Sequence, residues 1–410
     1  MEQEELIFDW NRVEGTFDRA SLLGLELNDE TLRDGAQNPS VADPPVGDKI
    51  RLLHLMEGLG IHAADLGLPA AGTRARTDVE LLAREIRDGK LSIRPNCAAR
   101  TLTADIWPIA EISQSLGISL EVALFVGISP IRQRVEGWGT DDILRMTEEA
   151  LEFAGREDLP VMFVTEDSSR ARPEDLKAVY QAAVRAGAQR ICLADTVGHA
   201  TPEGAEVLVR FVREQILEPV APEIRVDWHG HQDRGLGLAV ALAAARAGAQ
   251  RIHATALGIG ERAGNVPMDL LLVNLKMMGV HEGDLELLPA YGELAAAAWQ
   301  MAIPHEYPVL GQDAFRTGTG VHASALVKAE RAGGTWLKDR VYSSVPAAMV
   351  GKEQIIEVSP YSGLSNVKHW LKARGFDSED EALASRILEA AKASNHTLSA
   401  AEILALVRAP

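Results

Sequence analysis

The stretch "RAGAQRICLADTVG", residues 185–198, decides the fold of this chain. It passes from the end of a helix-like segment, through a glycine, into an apolar run that ends in polar residues. Its first seven residues, "RAGAQRI", occur again at 246–252, once more at the entry to an apolar run. Because a strand buried on both faces reads as a continuous apolar run, we interpret both copies as the same helix-to-strand hinge in a series of βα units.

Eight short apolar runs of this kind alternate with longer segments whose apolar spacing is near 3.6 residues, as in "DKIRLLHLMEGLG". The runs are "LELND" (25–29), "AADLGLP" (63–69), "IRPNCAA" (93–99), "LEVALFVG" (120–127), "PVMFVTED" (160–167), "RICLADTVG" (190–198), "IRVDWHGHQ" (224–232) and "RIHATALGIG" (251–260). Eight βα units predict an α/β fold, the (β/α)8 or TIM barrel. A doubly wound sheet would need G-x-G-x-x-G after the first strand, and "LNDETLRDGAQ" lacks it.

The rest of the chain follows a different rhythm. Residues 1–24 form an N-terminal extension, residues 25–290 the predicted barrel, and residues 291–410 a mostly helical C-terminal region. Within the last region we expect helices over 291–303, 322–332 and 365–409.

Composition limits the classes of partner. A net charge of −18 disfavours nucleic acid and anionic membranes. The two cysteines lie inside apolar runs, so we expect no disulfide framework. The acidic N-terminus does not resemble a signal peptide, and no apolar run approaches the roughly 20 residues of a membrane span. The sequence therefore predicts a soluble, cytoplasmic protein.

Polar residues at the ends of the predicted strands form a candidate metal site, since chemistry in this fold occurs at the carboxyl ends of the strands. His229 and His231, two residues apart on a strand, project to the same side. H-x-H alone is common, but Asp34 follows the first predicted strand and Asn265 follows the eighth, so both can converge on the same rim. Two nitrogens and two oxygens suit Mg²⁺ or Mn²⁺, and the imidazoles also admit Zn²⁺ or Co²⁺.

Three further strand-end residues have two interpretations each. Arg33 either stabilises a developing oxyanion or forms an exposed turn pair with Asp34. Glu166 is an acid, a base or a substrate clamp, or it forms a structural salt bridge to Arg170. Thr196 either lines the rim or caps the helix that follows it, although Thr201 suits the cap better.

Several motifs together resemble one family. "LRDGAQ" (32–37), "HGH" (229–231) and "GIGERAGN" (258–265) are similar to the signatures of the Claisen-condensing DRE-TIM metallolyases, which include α-isopropylmalate, homocitrate and citramalate synthases. "TED" (165–167), "ADTVG" (194–198), "GTGVHASALVKA" (318–329) and "VPAAMVGKEQIIEVSPYSG" (345–363) follow in family order. The likeness covers almost the whole chain and is nearest to a short 2-isopropylmalate synthase.

This resemblance implies roles for specific residues. They are Asp34, His229 and His231 as metal ligands with Asn265 nearby, Arg33 and Gln37 against the 2-oxo acid or enolate, and Glu166 and Thr196 in the lining of the site. It also implies that His322 and Tyr342 reach over the barrel of a partner subunit, and hence a homodimer. Two positions depart from the family pattern, because Ala36 replaces an acidic residue and Gln232 replaces an Asn.

The implied reaction is a metal-dependent condensation of acetyl-CoA with a 2-oxo acid, giving a 2-alkylmalate and CoA. The metal polarises the ketone, and His322, coupled to Tyr342 and Glu166, is the candidate base for the acetyl methyl group. In homocitrate synthases an Arg stands four residues before the strand-five glutamate. Here that position is Met162, and Val164 stands two before Glu166.

These apolar side chains bear on the choice of oxo acid. Burying the distal carboxylate of 2-oxoglutarate against Met162 and Val164 would cost several kcal/mol. We therefore expect 2-oxoisovalerate first, with phenylpyruvate (giving benzylmalate), pyruvate (giving citramalate) and 2-oxoglutarate (giving homocitrate) as alternatives. The other interpretation of Met162 is barrel core that says nothing about substrate.

Two rival classes remain beside the synthase. HMG-CoA lyase shares the barrel and metal set but uses a cysteine in the loop after the last strand, and "GIGERAGNVP" has none. The second rival is a metal-binding paralogue without activity. Because about forty residues follow "SGLSNVKHWL", we expect no leucine-regulatory domain and weak or absent inhibition by leucine.

Overall fold

The computed structural model describes residues 6–13 and 19–409. It divides into two compact units, one of Met1–Gly283 with Ala290–Met301 and one of Asp284–Pro289 with Ala302–Pro410. Residues 284–289 thus belong to the second unit and residues 290–301 to the first, where the sequence suggested a single boundary after residue 290. Among the residues described, no helix has both the length and the apolar character needed to span a bilayer.

The first unit is built on a closed barrel of eight parallel strands that neighbour one another in chain order. The strands are β1 Glu26–Asp29, β2 Ala63–Asp65, β3 Arg94–Arg100, β4 Glu121–Gly127, β5 Val161–Glu166, β6 Arg190–Asp195, β7 Arg225–Gly230 and β8 Arg251–Ala254. Seven lie inside one of the eight apolar runs and β3 extends one residue beyond its run, so the predicted (β/α)8 barrel is confirmed.

Helices connect the strands and cover the outside of the barrel. In this unit they are α1 Val46–Gly58, α2 Thr73–Gly89, α3 Thr103–Leu116, α4 Pro130–Glu136, α5 Thr140–Arg156, α6 Pro173–Arg185, α7 Pro202–Phe211, α8 Gly237–Arg246 and α9 Met268–Met277, with α10 Leu288–Ala298 crossing the division. The repeated "RAGAQRI" is one hinge used twice. Gly187 and Gly248 follow α6 and α8 with φ of 104° and 109°, a backbone region that glycine enters freely.

Strand alternation sorts side chains to the inside of the barrel in paired layers. On β7 and β8, Asp227 lies beside Arg251 and His229 beside His253. On β1, Glu26 and Asn28 occupy the same two layers. The neighbouring strands β7, β8 and β1 therefore carry polar groups on one continuous stretch of the inner wall.

The second unit contains α11 Gly320–Val341, α12 Leu364–Ala373, α13 Glu381–Ala393 and α14 Ala400–Arg408. Its core packs Trp370, Leu371 and Ile387 together. The single segment expected over 365–409 is three helices, because Asp380 and Ser399 each cap a new N-terminus. A two-stranded parallel sheet, β9 Arg316–Thr317 with β10 Ile355–Ile356, was not predicted from the sequence.

Candidate active site and metal centre

A cavity of about 340 Å³ opens at the C-terminal ends of the barrel strands, where the fold places its chemistry. Nine of the residues singled out from the sequence line it: Arg33, Asp34, Gln37, Met162, Val164, Glu166, Thr196, His229 and His231. The strands thus bring together side chains that lie nearly 200 residues apart in the chain.

Asp34, His229 and His231 place their ligand atoms around one point. The Nε2 atoms of the two histidines are 3.2 Å apart, and Asp34 Oδ2 lies 3.2 and 3.6 Å from them. Neighbouring ligands held at about 2.1 Å from a common divalent ion are separated by roughly 3.0–3.4 Å. Two of the three distances lie in this range and the third, from Asp34 to His231, is slightly longer. The three donors, all buried, could therefore hold one metal ion after a small adjustment of a side chain.

Asn265 joins this group through the loop after β8. Its Nδ2 donates to Asp34 Oδ2 at 2.9 Å, and its backbone pairs with that of His231. Its Oδ1 is buried without a hydrogen-bond partner among the described residues. An unpaired amide oxygen beside a carboxylate and two imidazoles is a suitable fourth donor for a hard or borderline cation.

Local charges keep the donors in their metal-binding forms. Burial acts to raise the pKa of Asp34, but the Arg33 charge and the hydrogen bond from His229 outweigh it and hold that pKa well below its ordinary value. Burial, followed by repulsion from His229, lowers the pKa of His231 to about 4. At neutral pH the site thus presents a carboxylate and a neutral imidazole, as metal ligation requires.

Arg33 lies beside the donors and is held by three carboxylates. Its Nε is 3.0 Å from Asp65 Oδ2, its Nη2 pairs with Glu30, and its Nη1 is 3.5 Å from Asp34 Oδ2. Its side chain is only 19% exposed. The alternative of an exposed turn pair with Asp34 is therefore wrong, since both groups are enclosed in the barrel mouth.

Glu166 ends β5 on the opposite side of the cavity. Its nearest cation is Arg132 at 3.6 Å. The expected alternative, a salt bridge to Arg170, is wrong because Arg170 binds both oxygens of Asp167 at 2.7 and 2.8 Å. Burial raises the pKa of Glu166, and the Arg132 charge offsets that only in part.

Thr196 lines the cavity and its hydroxyl accepts a hydrogen bond from the Asp167 backbone N–H at 2.8 Å. The following helix α7 is capped instead by Thr201. Gln232, the departure from the family pattern after the second histidine, accepts from the Gly237 N–H at 3.1 Å at the start of α8. Its amide oxygen thus supports a helix and not the metal donors.

The wall formed by β4, β5 and β6 is apolar. Ala123, Met162 and Cys192 form one buried cluster against which Val164 packs, and Ala98 and Ala194 also line the cavity. Met162 is 1% exposed and its sulfur lies 3.0 Å from Nη2 of Arg251. It is therefore barrel core and cavity lining at once, so both interpretations of this residue hold.

The sequence did not single out Glu30 and His253. Both line the cavity, and with His229 they form a second group whose ligand atoms lie within 4.8 Å of one another. Their roles depend on the pairing of β7, β8 and β1, which no single motif reveals. The available signal was alternation, because Arg251 and His253 repeat on β8 the two-residue spacing of Asp227 and His229 on β7.

His322 and Tyr342 lie in the second unit, at the two ends of α11. Twenty residues of straight helix would separate them by about 30 Å. The helix is broken at Gly333 and Gly334, where Gly334 has φ of 62°. The chain therefore returns, and the two rings stack with centroids 3.9 Å apart. Their expected role over a partner's barrel stays a prediction.

Comparison with known proteins agrees with the motifs. The profile of the HMGL-like family matches residues 24–291. The chain is 29% identical over 369 residues to a homocitrate synthase of Methanopyrus kandleri, covering 89% of this chain and 86% of the relative. It is 28% identical to an (R)-citramalate synthase of Methanocaldococcus jannaschii (94% and 74% covered) and to a 2-isopropylmalate synthase of Methylacidiphilum infernorum (86% and 68% covered).

Solved structures share the barrel. The HMG-CoA lyase of Bacillus subtilis superimposes with a TM-score of 0.57 at 18% identity, over 68% of this chain and 95% of that chain. At that identity the likeness shows the fold alone. With the family profile spanning the barrel and synthases matched over nearly the whole chain, this protein belongs to the HMGL-like family, within its DRE-TIM condensing branch.

Proposed function

We propose that this protein is an acyltransferase that condenses acetyl-CoA with a 2-oxo acid to give a 2-alkylmalate and CoA. The observation that carries the proposal is the convergence of Asp34, His229 and His231 beside Arg33 in one cavity. The names of the relatives, which are citramalate, homocitrate and 2-isopropylmalate synthases, support the same reaction class.

Asp34, His229 and His231, with Asn265, would hold one divalent ion, Zn²⁺, Mn²⁺, Mg²⁺ or Co²⁺. When bound, such an ion supplies Lewis acidity that polarises the ketone of the oxo acid. Arg33 contributes a fixed positive charge against the alkoxide that forms from that ketone. Among the described residues, its Nη1 contacts Asp34 alone, at 3.5 Å, so it keeps N–H donors for a substrate oxygen.

Gln37 and Thr196 line the same cavity and are suited to orient the oxo acid. The base that removes a proton from the acetyl methyl group is His322, stacked on Tyr342 and supplied by the second subunit of a homodimer. Glu166, with its raised pKa, is the barrel residue that would interact with this pair. The new carbon–carbon bond forms between the acetyl methyl carbon and the ketone carbon, and water then releases CoA.

The apolar wall supports a 2-oxo acid with an apolar side chain. A distal carboxylate placed against Met162 and Val164 would lose its hydration without gaining a partner. Arg251, the nearest buried guanidinium, is already engaged by Asp227 and Glu121 at 2.6 and 2.7 Å. We therefore propose 2-oxoisovalerate as the substrate, and the small Ala98, Ala123 and Ala194 leave volume for a larger one such as phenylpyruvate.

The test is release of free CoA, followed with a thiol reagent, from acetyl-CoA and a panel of four 2-oxo acids. We expect the highest kcat/KM with 2-oxoisovalerate or phenylpyruvate and the lowest with 2-oxoglutarate. A preference for 2-oxoglutarate would refute the proposal that the side chain of the oxo acid binds against the apolar wall. No CoA release with any acid would refute the synthase, and cleavage of HMG-CoA would establish the lyase instead.

The shared active site has its own test, a subunit-mixing experiment. Asp34→Asn and His322→Ala variants are each expected to be inactive as homodimers. If His322 acts on the partner's barrel, an equal mixture that exchanges subunits should regain about a quarter of wild-type activity, since each heterodimer contains one intact site. Two inactive variants that stay inactive after exchange would refute the shared site.

A further inference from the structure

One carboxylate, Glu30, contacts several groups of the candidate site. It is 2% exposed and follows directly on β1. Its Oε1 lies 3.4 Å from His229 Nδ1 and 2.5 Å from His253 Nδ1, while its other oxygen pairs with Arg33. Glu30 therefore joins a candidate metal ligand to the guanidinium proposed to hold the alkoxide.

A second cation is not the best explanation of the Glu30, His229 and His253 group. Both ring nitrogens of His253 already face carboxylates, Glu30 at 2.5 Å and Asp227 Oδ2 at 2.9 Å. A ring flanked by carboxylates at both nitrogens has neither nitrogen open to an ion. The group is instead a hydrogen-bonded row that runs from His229 through Glu30 and His253 to Asp227.

The far end of this row is fixed by ion pairs. Asp227 is completely buried and receives Arg251 Nε and Arg190 Nη1, each at 2.6 Å. Two guanidiniums on one carboxylate give it a rigid, charge-compensated position. Asp227 therefore fixes the His253 ring through Nε2, and His253 fixes Glu30 through Nδ1.

The direction of His229 makes this row relevant to metal binding. Its Nε2 points to Asp34 Oδ2 at 3.2 Å, and its Nδ1 faces Glu30. When Nε2 binds an ion, the hydrogen of the neutral ring must lie on Nδ1. A carboxylate at that side favours this tautomer and orients the ring, as acceptors behind metal-bound histidines do. His231 differs, because its Nδ1 has no hydrogen-bond partner among the described residues.

We propose that Glu30, held by His253 and Asp227, is a positioning residue that sets the metal-binding tautomer and orientation of His229 and anchors Arg33 beside it. The proposal rests on the proposed function in one respect, since it takes Asp34, His229 and His231 as the metal ligands. It adds that the two histidines are unequal, with His229 prepared for the ion by the protein and His231 free to adjust.

The test measures metal affinity directly, without turnover. Apo protein is titrated with Co²⁺ or Zn²⁺ against a chromophoric chelator, for wild type, Glu30→Ala, Glu30→Gln and His253→Gln. Losing a carboxylate behind a ligating histidine typically weakens binding about 10–100-fold. We expect that loss for Glu30→Ala, a smaller one for Glu30→Gln, whose amide oxygen can still accept from Nδ1–H, and an intermediate one for His253→Gln.

One further readout and one control variant separate positioning from a general loss of structure. The visible absorption of bound Co²⁺ should shift in Glu30→Ala and return toward wild type in Glu30→Gln, because it reports the geometry of the ligands. The matched control is Glu85→Gln, which removes the carboxylate from another Glu–His pair, with His54 Nε2 at 2.8 Å on the outer helices. We expect its metal affinity and spectrum to equal those of wild type.

The outcomes distinguish the two proposals. A wild-type protein that binds no divalent ion would overturn the proposed function, and the role of Glu30 with it. A wild-type protein that binds the ion, together with Glu30→Ala and His253→Gln variants whose affinity stays within twofold and whose spectra are unchanged, would overturn the positioning role alone. Should Glu30→Ala not fold, His253→Gln carries the same comparison, because it removes the support of Glu30 and leaves Arg33 paired.

Discussion

Two walls of the same cavity differ in how they are built. On the polar wall, from β7, β8 and β1, Glu30, His229 and His253 line the cavity. Asp227 and Arg251 form the layer beneath them. The apolar wall, from β4, β5 and β6, carries Ala123, Met162, Val164, Cys192 and Ala194. On the polar wall each buried charge is matched by a partner, so its residues are constrained together. On the apolar wall each side chain contributes mainly shape, so its residues can change one at a time.

This contrast assigns the two walls different tasks. Burying a charge without a partner is costly, and removing one member of a buried pair typically costs 3–5 kcal/mol. A group such as Asp227 with Arg190 and Arg251 is therefore suited to an invariant reaction step. Apolar packing tolerates exchanges of similar volume, which suits selection among 2-oxo acids. Relatives named for three different products are consistent with one chemistry and an adjustable pocket.

The largest effect is expected where a donor of the metal centre is removed. Asp34→Asn keeps the size of the side chain but removes the charge that faces both histidines. We expect bound divalent metal to be lost and CoA release to fall by about 10³-fold, equivalent to about 4 kcal/mol of transition-state stabilisation. Metal content and steady-state rates measure the two effects. Full metal occupancy with wild-type turnover would contradict the assignment.

The next effect is expected at Asp29, a buried carboxyl group that is not paired with Arg190 or Arg251. Burial raises the pKa of Asp29 from 3.8 to about 6, because its hydrogen bonds from Thr31 and Tyr291 offset desolvation only in part. Between pH 4 and pH 6 the unfolded chain has lost this proton while the folded protein keeps it. This group therefore lowers stability as pH rises through that window, by about 3 kcal/mol at 1.36 kcal/mol per unit.

Asp29→Asn should remove this dependence. The unfolding free energy is measured by urea denaturation from pH 4 to pH 7. We expect the value for the variant minus that for wild type to rise by about 3 kcal/mol across this range. Asp88→Asn is the control, because Asp88 is exposed and the hydrogen bond from Arg87 lowers its pKa, so it stays ionised through most of this window. A constant difference between wild type and Asp29→Asn at all pH values would show that Asp29 is ionised throughout.

On the apolar wall the expected effect is smaller and selective. Ala123 lines the cavity beside Met162 on the neighbouring strand. Ala123→Leu fills volume that a branched or aromatic side chain would occupy, and a methylene or more in such a pocket is worth about 10–200-fold. We expect kcat/KM for 2-oxoisovalerate to fall about 10–100-fold relative to pyruvate. Equal losses for both acids, with an unchanged melting temperature, would place the substrate side chain elsewhere.

The smallest effect is expected at the edge of the polar wall. A Cβ at Gly260 would come within 1.7 Å of Asn265 Oδ1. Gly260→Ala must therefore displace the amide while leaving Asp34 and both histidines in place. We expect divalent-metal affinity to weaken by about tenfold, measured by chelator competition. Gly155→Ala, where a Cβ would meet nothing within 4 Å, is the control. Unchanged affinity would remove Asn265 from the proposed ligands.

Much of the fold could be predicted from local sequence, and part of the site with it. Apolar runs and glycine hinges are local signals, so all eight strands lie where the sequence indicated. Strand ends in a barrel converge by geometry, which brought Asp34 and the two histidines together across 195 residues. Two-residue strands such as Arg316–Thr317 bury too little to leave a pattern. Their pairing depends on contacts that only the folded chain makes.

The residues that sequence reasoning missed share one physical property. Glu30, His253 and Arg132 act through partners on other strands or loops, and the identity of a partner depends on strand register and rotamer. Glu166 shows the difference, since its position at the end of β5 was predictable while its pairing with Arg132 in place of Arg170 was not. The position of a residue on a strand can be predicted from local sequence, whereas its side-chain partners depend on the fold of the whole barrel.

Because Glu30 contacts both His229 and Arg33, those two residues share a common support. Substitutions at sites with a shared partner do not add, and double-mutant cycles of such pairs show coupling of about 0.5–3 kcal/mol. Combined substitutions at positions 30, 33 and 229 are therefore expected to differ in effect from the sum of the single ones. Residues of the apolar wall have no such shared support, so changes of substrate range are expected to be more accessible on that side of the cavity.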